Sequence, residues 1–454
     1  MEIISLNYLV FCILFLSLFF LLPNLGKRII ILISSYIFYG SISIFLLFAL
    51  FTSTLFNFFI VKLNFKYKYI VSIFFNLGLL LLFKLGVHIK NQTIFLPIGI
   101  SFFTFQAISF SLDYKANKIS SNVKFLDFAN YLSFFPQLIS GPIEKFGNLS
   151  PQIRNFNKFS WTNIQQGLYL ILIGLSKKLI ISDRLGFFVD SVYENLDESN
   201  GYSIIFATVF FYFQIFLDFS AYCNIAVGLS KIMGVELSSN FNRPYLSSSI
   251  SSYWRRWHIT LHLWFKEYIY THLKKRYNWI ISVFIIFFLS GLWHGVNYTF
   301  ILWGIFCFLT LLIDKWILQK IIPFKMFRIL TTALLIIASR FFYRVEKVED
   351  LLIISSKINN FDGFKKILID ISYVLNNFTT SNLNGTFSLG LLNINLSYLD
   401  LFIMTTGMLF WGAITIINAK TNTKLPKVIL IFSMIILLSF FGFNGNQSFI
   451  YLQF

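Results

Sequence analysis

Hydrophobic and polar positions fall along this chain in long blocks, not in short alternations. Ile4 to Leu22 and Ile42 to Val61 run without a single charge. About 20 such residues cross a bilayer as one helix. Further apolar blocks predict helices over Arg28–Tyr39, Tyr69–Leu85, Gly167–Ile181, Tyr202–Met233, Trp279–Trp293, Thr299–Ile317, Met326–Phe342, Leu399–Ile417 and Val428–Phe443. The pattern predicts an all-α, polytopic membrane protein with about 10–11 transmembrane helices. A membrane β-barrel would read as strands of alternating polarity, and these blocks do not alternate. The first block lacks a basic start and a small-residue cleavage site, so it reads as a retained helix, not a signal peptide.

The middle of the chain breaks this rule. From Pro97 to Pro151 the apolar pieces are short and interrupted by Pro97, Gly99, Pro136, Gly141 and Pro142. From Asn240 to Tyr277 the chain is amphipathic and rich in Trp, Arg and His. Irregular backbone at membrane depth survives only where protein or a water-filled cavity surrounds it. The expected architecture is a central tunnel with re-entrant and amphipathic segments, walled by helices. Three regions follow: N-terminal transmembrane helices over 1–96, a core over 97–303, and C-terminal helices over 304–454. The last region holds the longest polar stretch, 345–384, expected as an extramembrane loop with one amphipathic helix, and an aromatic tail. No internal repeat supports the inverted-repeat plan of many transporters.

Composition agrees. Of the 454 residues, 57% are hydrophobic and 12% charged, too few charges to clothe a soluble core of this size. The net charge of +18 would suggest nucleic acid in a soluble protein. In a membrane protein it reads as basic loops facing anionic lipid headgroups, with no nucleic-acid partner. Cys12, Cys223 and Cys307 lie far apart in apolar stretches and suggest neither disulfides nor a metal site.

Two clusters carry candidate chemistry. The first runs from Tyr253 to His258 and on to His262, Trp264, Lys266 and Glu267. The second is Ser290-Gly291-Leu292-Trp293-His294-Gly295, at the end of a long apolar helix. An ionisable group at such a place is costly and suggests function. Neutral imidazole can act as a general base, and two glycines would leave room for a substrate. The plainer reading is an interfacial helix end, with Trp293 anchoring and His294 capping. His258 and His262 have a zinc-compatible spacing, but Ile259 stands where a metalloprotease needs Glu, so no metal is expected. Arg255 and Arg256 suit a phosphate or lipid headgroups. Asp218, alone in an apolar helix, must find a partner on a neighbouring helix. Glu144 could line the cavity or sit in water, and Lys177, Lys178, Asp183 and Arg184 read as an ion cluster at the membrane edge.

Several blocks resemble the membrane-bound O-acyltransferase family, in order. They are Ser101-Phe102-Phe103-Thr104-Phe105-Gln106, Phe134-Phe135-Pro136-Gln137, Gly141-Pro142, Asp218-Phe219-Ser220-Ala221-Tyr222, Asn240-Phe241-Asn242-Arg243-Pro244-Tyr245, Trp254 to His258, and Ser290 to Gly295. The nearest branch looks like the bacterial alginate and peptidoglycan O-acetyltransferases, with the D-alanyl transfer protein of teichoic acid as a cousin. The resemblance implies that His294 is catalytic and that His258 lies near the same tunnel. Trp293, Arg255, Arg256, Asp218, Asn242 and Glu144 are the other tunnel candidates. It implies no bound cofactor and an acyl thioester donor, acetyl-CoA or an acyl carrier protein. It also implies a bacterial cytoplasmic membrane and an extracytoplasmic polysaccharide O-acetyltransferase as partner. The tail Phe449-Ile450-Tyr451-Leu452-Gln453-Phe454 resembles one whose tyrosine relays the acyl group, which makes Tyr451 a third catalytic candidate. Thr271 to Arg276 depart from the Gly-Gly-Asn-Arg-like element of alginate-type members, which argues against alginate as substrate but not against the fold. The alternatives are D-alanyl transfer to teichoic acid and a polysaccharide export component.

Overall fold

A computed structural model describes residues 3–89, 99–156, 159–345 and 347–359, and beyond them only 386–389, 394–397, 434–435, 437–438 and 449. Helices α1 (Leu6–Leu21), α2 (Asn24–Gly40), α3 (Ile44–Ile60) and α4 (Lys68–Ile89) form an antiparallel wall. Local chemistry sets their ends. Ser5 accepts the Tyr8 N–H at 3.2 Å to start α1, and Pro23 separates α1 from α2. The outward faces of these helices keep Leu9, Ile13, Leu14, Phe45 and Phe48 exposed, as a lipid-facing surface requires.

Inside this wall lies α5 (Ile100–Lys115), buried along nearly its whole length. Short helices α6 (Phe125–Ser133), α7 (Phe135–Leu138) and α8 (Phe146–Arg154) fill the centre. This is the region the prolines mark as broken. It is enclosed by protein, which satisfies its irregular backbone.

The second half of the fold rests on two long helices. α9 (Trp161–Ser176) passes through a π-helical stretch, Lys177–Ser182, into α10 (Asp183–Tyr193). α11 (Gly201–Ile232) packs against it closely. A Cβ on Gly167 would lie 2.5 Å from the Gly228 carbonyl, so only glycine permits this approach. The chain then dips inward through α12 (Ile250–Trp254) and back out through α13 (Ile259–Phe265), a second π-helical stretch (Lys266–Tyr270) and α14 (Thr271–Leu273). α15 (Trp279–His294), α16 (Tyr298–Ile313), α17 (Gln319–Ile321), α18 (Lys325–Arg344) and α19 (Val348–Asn359) follow.

Nine of the eleven predicted spans coincide with these helices to within a few residues, except that Gly167–Ile181 is part of a continuous helix from Trp161 to Tyr193. Five helices are long and apolar enough to cross a membrane by themselves, and Leu6–Leu21, Ile44–Ile60 and Trp279–His294 are shorter apolar ones. The block Leu399–Ile417 lies outside the described residues, as does most of Val428–Phe443. The all-α class gains one small addition, an antiparallel hairpin of Thr386–Leu389 with Ile394–Ser397. Its sequence alternates as a strand does. In the polar stretch the expected amphipathic helix is α19.

The fold also sorts the charges, which the linear sequence scatters over most loops. Asn24 meets Arg154, Arg28 and Arg154 both pair with Asp127, and Lys62 donates to the Val123 carbonyl at 2.8 Å. Lys118 and Lys145 converge on Glu267, and Lys315 covers Trp279. These contacts gather the basic loops at one end of the molecule. The opposite end carries Glu194, Asp197 and Glu198 in the α10–α11 turn, with Arg344 paired to Asp190 at 2.8 Å. At the basic end, burial pushes the Glu267 carboxyl up, but the Lys118 and Lys145 ammonium groups outweigh it and hold it below the usual carboxylate range.

Candidate active site

The inward dip is a re-entrant hairpin with His258 at its tip. Ser248 enters at the basic end, where its carbonyl accepts Arg328 Nε at 3.1 Å and the Asp314 carboxylate accepts the Ile250 N–H at 3.0 Å. The return limb runs beside α5: Trp264 Nε1 donates to the Phe105 carbonyl at 3.0 Å, and Tyr268 donates to Asp113 at 2.8 Å. At the tip His258 takes a left-handed conformation, φ 43° and ψ 56°. That costs a non-glycine residue roughly 1–3 kcal/mol and persists only where its surroundings impose it. Here Asn240 imposes it. Its carbonyl accepts the Ile259 N–H at 2.9 Å, and its side-chain oxygen accepts the Thr260 hydroxyl at 2.6 Å. The Arg256 carbonyl accepts the Asn242 N–H at 3.0 Å.

His294 comes from another direction. Asn278 caps α15 by accepting the Ile281 N–H at 2.9 Å, and the helix runs without a charge to its last residue, His294. Gly295 is extended and the chain turns back into α16. The two glycines serve this turn, not an incoming substrate. A Cβ on Gly291 would lie 2.4 Å from the Phe300 carbonyl, and one on Gly295 would strike the Phe300 ring at 2.3 Å. They let α15 and α16 close on each other, which corrects the expectation of an open approach.

Around His294 stands an aromatic cage. Tyr343 of α18 places its hydroxyl 3.1 Å from His294 Nδ1. Trp303 meets the imidazole edge-on at 5.0 Å between centroids, and Phe300 lies parallel at 6.2 Å. Trp293 joins the two histidines: its ring is 4.7 Å from His294 and 6.0 Å from His258. Phe219 and Phe102 complete the wall around His258, at 4.8 and 6.0 Å. Both histidines are buried, His294 at 7% and His258 at 2% exposure, so His294 at the end of α15 is enclosed by protein.

This arrangement suits proton transfer. With the proton on Nδ1 and donated to Tyr343, Nε2 is the ring nitrogen that accepts a proton. A cavity of about 570 Å³ lies next to the tip, lined by Lys177, Ser220, Cys223, Asn240, Phe241 and Arg243 among others. His294 does not line it, and Phe219 and Phe241 stand between it and the histidines. A larger hollow of about 1120 Å³ between α2, α3 and α4 has only uncharged walls, and neither histidine lines it.

The remaining candidates separate. Trp293 sits in the site. Asp218 turns toward α10 and pairs with Lys178 at 2.8 Å, and Lys178 also pairs with Asp183 at 2.8 Å. This triad is fully buried, so the expected membrane-edge cluster is in fact an interior one. Asp218 does find its partner on a neighbouring helix. Glu144 is neither a water-facing loop residue nor at the histidines. It is buried, accepting the Ser238 N–H and the Asn148 amide at 2.6 Å, and so ties the broken region to the hairpin. Arg255 is exposed, bonded to Ser251 at 2.7 Å, and Asn242 is exposed as well. Arg256 is half-buried beside them. Tyr451 lies outside the described residues, but Phe449 is buried, edge-on to Tyr222 at 5.8 Å and under the Lys178 ammonium at 4.5 Å.

Among the polar and charged residues around the histidines, three escaped the sequence reading. Tyr343 is one. Arg340, one turn before it, donates to the Tyr253 hydroxyl at 3.1 Å and stacks over Trp257 at 5.3 Å, linking α18 to the hairpin. Lys84 of α4 donates to the Trp293 carbonyl. The signal available for Lys84 was its being the one charge in the apolar block Tyr69–Leu85, and for Arg340 a charge deep in the block Met326–Phe342, whose other charge, Arg328, lies near its start. Tyr343 carried none.

Comparison with known proteins bears on this geometry. The family model MBOAT, membrane-bound O-acyltransferase family, matches residues 30–343. The chain is 36% identical over 248 residues to the peptidoglycan O-acetyltransferase of Helicobacter pylori, 48% of this chain and 47% of that protein. It is 32% identical over 321 residues to a protein of Pseudomonas aeruginosa named "Probable alginate O-acetylase AlgI", 64% of this chain and 61% of that one. The teichoic acid D-alanyltransferase of Bacillus subtilis is 28% identical over 235 residues, 46% of this chain and 56% of the relative. The matches thus span about half to three fifths of the relatives' own lengths. All stretches that build the cage, from Lys84 to Tyr343, fall inside the family match.

Proposed function

The chain belongs to the membrane-bound O-acyltransferase family, and from that premise we propose that it is an acyltransferase serving O-acetylation of an extracytoplasmic cell-wall polysaccharide or exopolysaccharide. The observation that carries the reading is His294, buried in an aromatic cage with its Nδ1 held by Tyr343. The donor is a cytoplasmic thioester, acetyl-CoA or an acetylated carrier protein. Basic loops face the cytoplasm in membrane proteins, so the basic end is the donor side and the Glu194–Glu198 turn faces outward. The membrane is the cytoplasmic membrane of a bacterium.

In the reaction His294 Nε2 takes the proton of an attacking hydroxyl, whose oxygen forms a bond to the thioester carbonyl carbon. The tetrahedral intermediate collapses, the C–S bond breaks, and the thiolate leaves with the proton from the imidazolium. General-base help of this kind contributes roughly 10²–10⁴-fold. His258, fixed at the hairpin tip, orients a reactant through the shared Trp293 wall. Tyr451 is the proposed relay: its hydroxyl accepts the acyl group and passes it to a separate extracytoplasmic transferase. The burial of Phe449 against Tyr222 supports a tail that reaches the core.

The test is transfer of labelled acetyl from acetyl-CoA by the full chain in sealed proteoliposomes, donor on one side and acceptor extract on the other. Absence of transfer from acetyl-CoA and from acetyl carrier protein alike overturns the reading. Transfer of D-alanine but not acetyl selects the teichoic-acid alternative, and flux of polymer without transfer selects an export component. Tyr451→Phe should abolish transfer to the acceptor; near-normal acetylation removes the relay.

A further inference from the structure

Lys84 sits in the last apolar turns of α4, at 7% exposure, with its ammonium on the carbonyl of Trp293. Among the described residues no carboxylate lies within ion-pairing distance of it. An ammonium held at membrane depth without a counter-ion is costly, and such residues need a reason. Helix-end chemistry supplies half of one. The last carbonyls of α15 lack intrahelical donors, and a cation favours that end of the helix. Yet a cap uses one N–H of the three that a lysine carries, and a neutral donor would serve as well. What the cap leaves unexplained is the full charge, placed at the turn that ends on His294.

Acyl transfer creates the missing partner. When the hydroxyl oxygen bonds to the thioester carbon, the carbonyl π electrons move to oxygen and form an oxyanion. Trp293, Phe300, Trp303 and Tyr343 around His294 are neutral, and the other buried cation nearby, the Arg340 guanidinium, already donates to the Tyr253 hydroxyl and stacks over Trp257. We propose that Lys84 is a further catalytic residue, whose ammonium donates a hydrogen bond to this oxyanion while His294 takes the proton. The inference rests on the acyl-transfer reading above. Lys84 stays protonated throughout: it stabilises the intermediate and returns to the Trp293 carbonyl alone when the C–S bond breaks. A preorganised donor of this kind contributes about 10²–10³-fold in kcat.

The test compares Lys84→Gln, Lys84→Arg and Lys84→Met in the full chain, reconstituted and assayed with acetyl-CoA. Lys84→Gln keeps a neutral donor for the helix end and should keep the wild-type thermal transition. Its kcat should fall about 10²–10³-fold with KM for acetyl-CoA within about two-fold. Lys84→Arg should recover at least about ten-fold of that loss, because it restores the charge. Lys84→Met removes cap and charge and should lose stability as well. Activity of Lys84→Gln within about three-fold of wild type, at a matched thermal transition, overturns the role and leaves Lys84 as a cap. So does a loss in Lys84→Gln that merely tracks unfolding. If the wild type transfers acetyl and Lys84→Gln does too, only the lysine's role falls; if the wild type transfers no acyl group, both readings fall.

Discussion

Two of the polar clusters buried in this membrane protein are built in opposite ways. In the first, Lys178 stands between Asp183 and Asp218, each at 2.8 Å, so charge meets charge inside the fold. In the second, the Tyr343 phenol meets His294 Nδ1, four aromatic rings stand around the imidazole, and at its turn lies a lysine with no carboxylate within ion-pairing distance among the described residues. The first cluster completes itself and holds α10 against α11. In the proposed reaction, a developing oxyanion would bring the second cluster the negative charge that Lys84 lacks among the described residues. Burial and polarity alone therefore do not mark a site at membrane depth. The sign of a site is an electrostatic account that the protein leaves open.

Four substitutions put that contrast at risk. His294→Ala should reduce acyl transfer by roughly 10²–10⁴-fold while membrane insertion and the thermal transition stay near wild type. Labelled-acetyl assays beside unfolding curves decide it, and a stability loss that tracks the activity loss would merge the two clusters into one kind. Asp218→Ala should do the reverse. Breaking a buried pair costs about 3–5 kcal/mol, so folded yield and thermal stability should drop, and activity per folded molecule should hold within a few-fold. Tyr343→Phe removes a single hydrogen bond from Nδ1. One bond is worth about 1 kcal/mol, so kcat should fall about five-fold with stability little changed; unaltered kcat would show that the imidazole is oriented by packing alone.

The smallest effect belongs to a third, exposed cluster that calibrates the other two. Glu267→Gln removes the carboxylate between Lys118 and Lys145, worth under about 1 kcal/mol at a surface. Its sign with pH is fixed. The folded carboxyl titrates below its unfolded value, so its contribution is present above the usual carboxylate range and is lost as pH falls through the folded value. Wild type and Glu267→Gln should therefore converge in stability at acid pH. A gap that persists there would assign the effect to packing.

The helices were legible because membrane insertion writes them as unbroken apolar runs. The site was legible in part. His294 and Trp293 stood out because a polar residue ending a chargeless helix has few ordinary explanations. Asn240 was quoted only within a motif, and its grip on His258 depends on a hairpin that no periodicity encodes. Tyr343 was invisible, since an aromatic residue near the end of an aromatic-rich helix looks like any other. Glu144 misled, since only the fold reveals that it holds the Ser238 N–H, whereas the pairing of Asp218 with a neighbouring helix was expected and only the identity of its partner, Lys178, needed the fold. The charges needed three dimensions too. Basic loops that alternate along the chain with no clear bias come together at one end once the helices are laid antiparallel.

The re-entrant hairpin has a consequence for counting. Its two limbs begin and end at the basic end of the molecule, where Ser248 meets Arg328 and Glu267 meets Lys118 and Lys145. It adds hydrophobic length without adding a crossing. A count of crossings that took the hairpin for a span would invert everything downstream. It would put the α15–α16 turn in the wrong compartment and assign His294 to the wrong half of the membrane. Parity, and not hydrophobicity, decides which face of this protein receives the product.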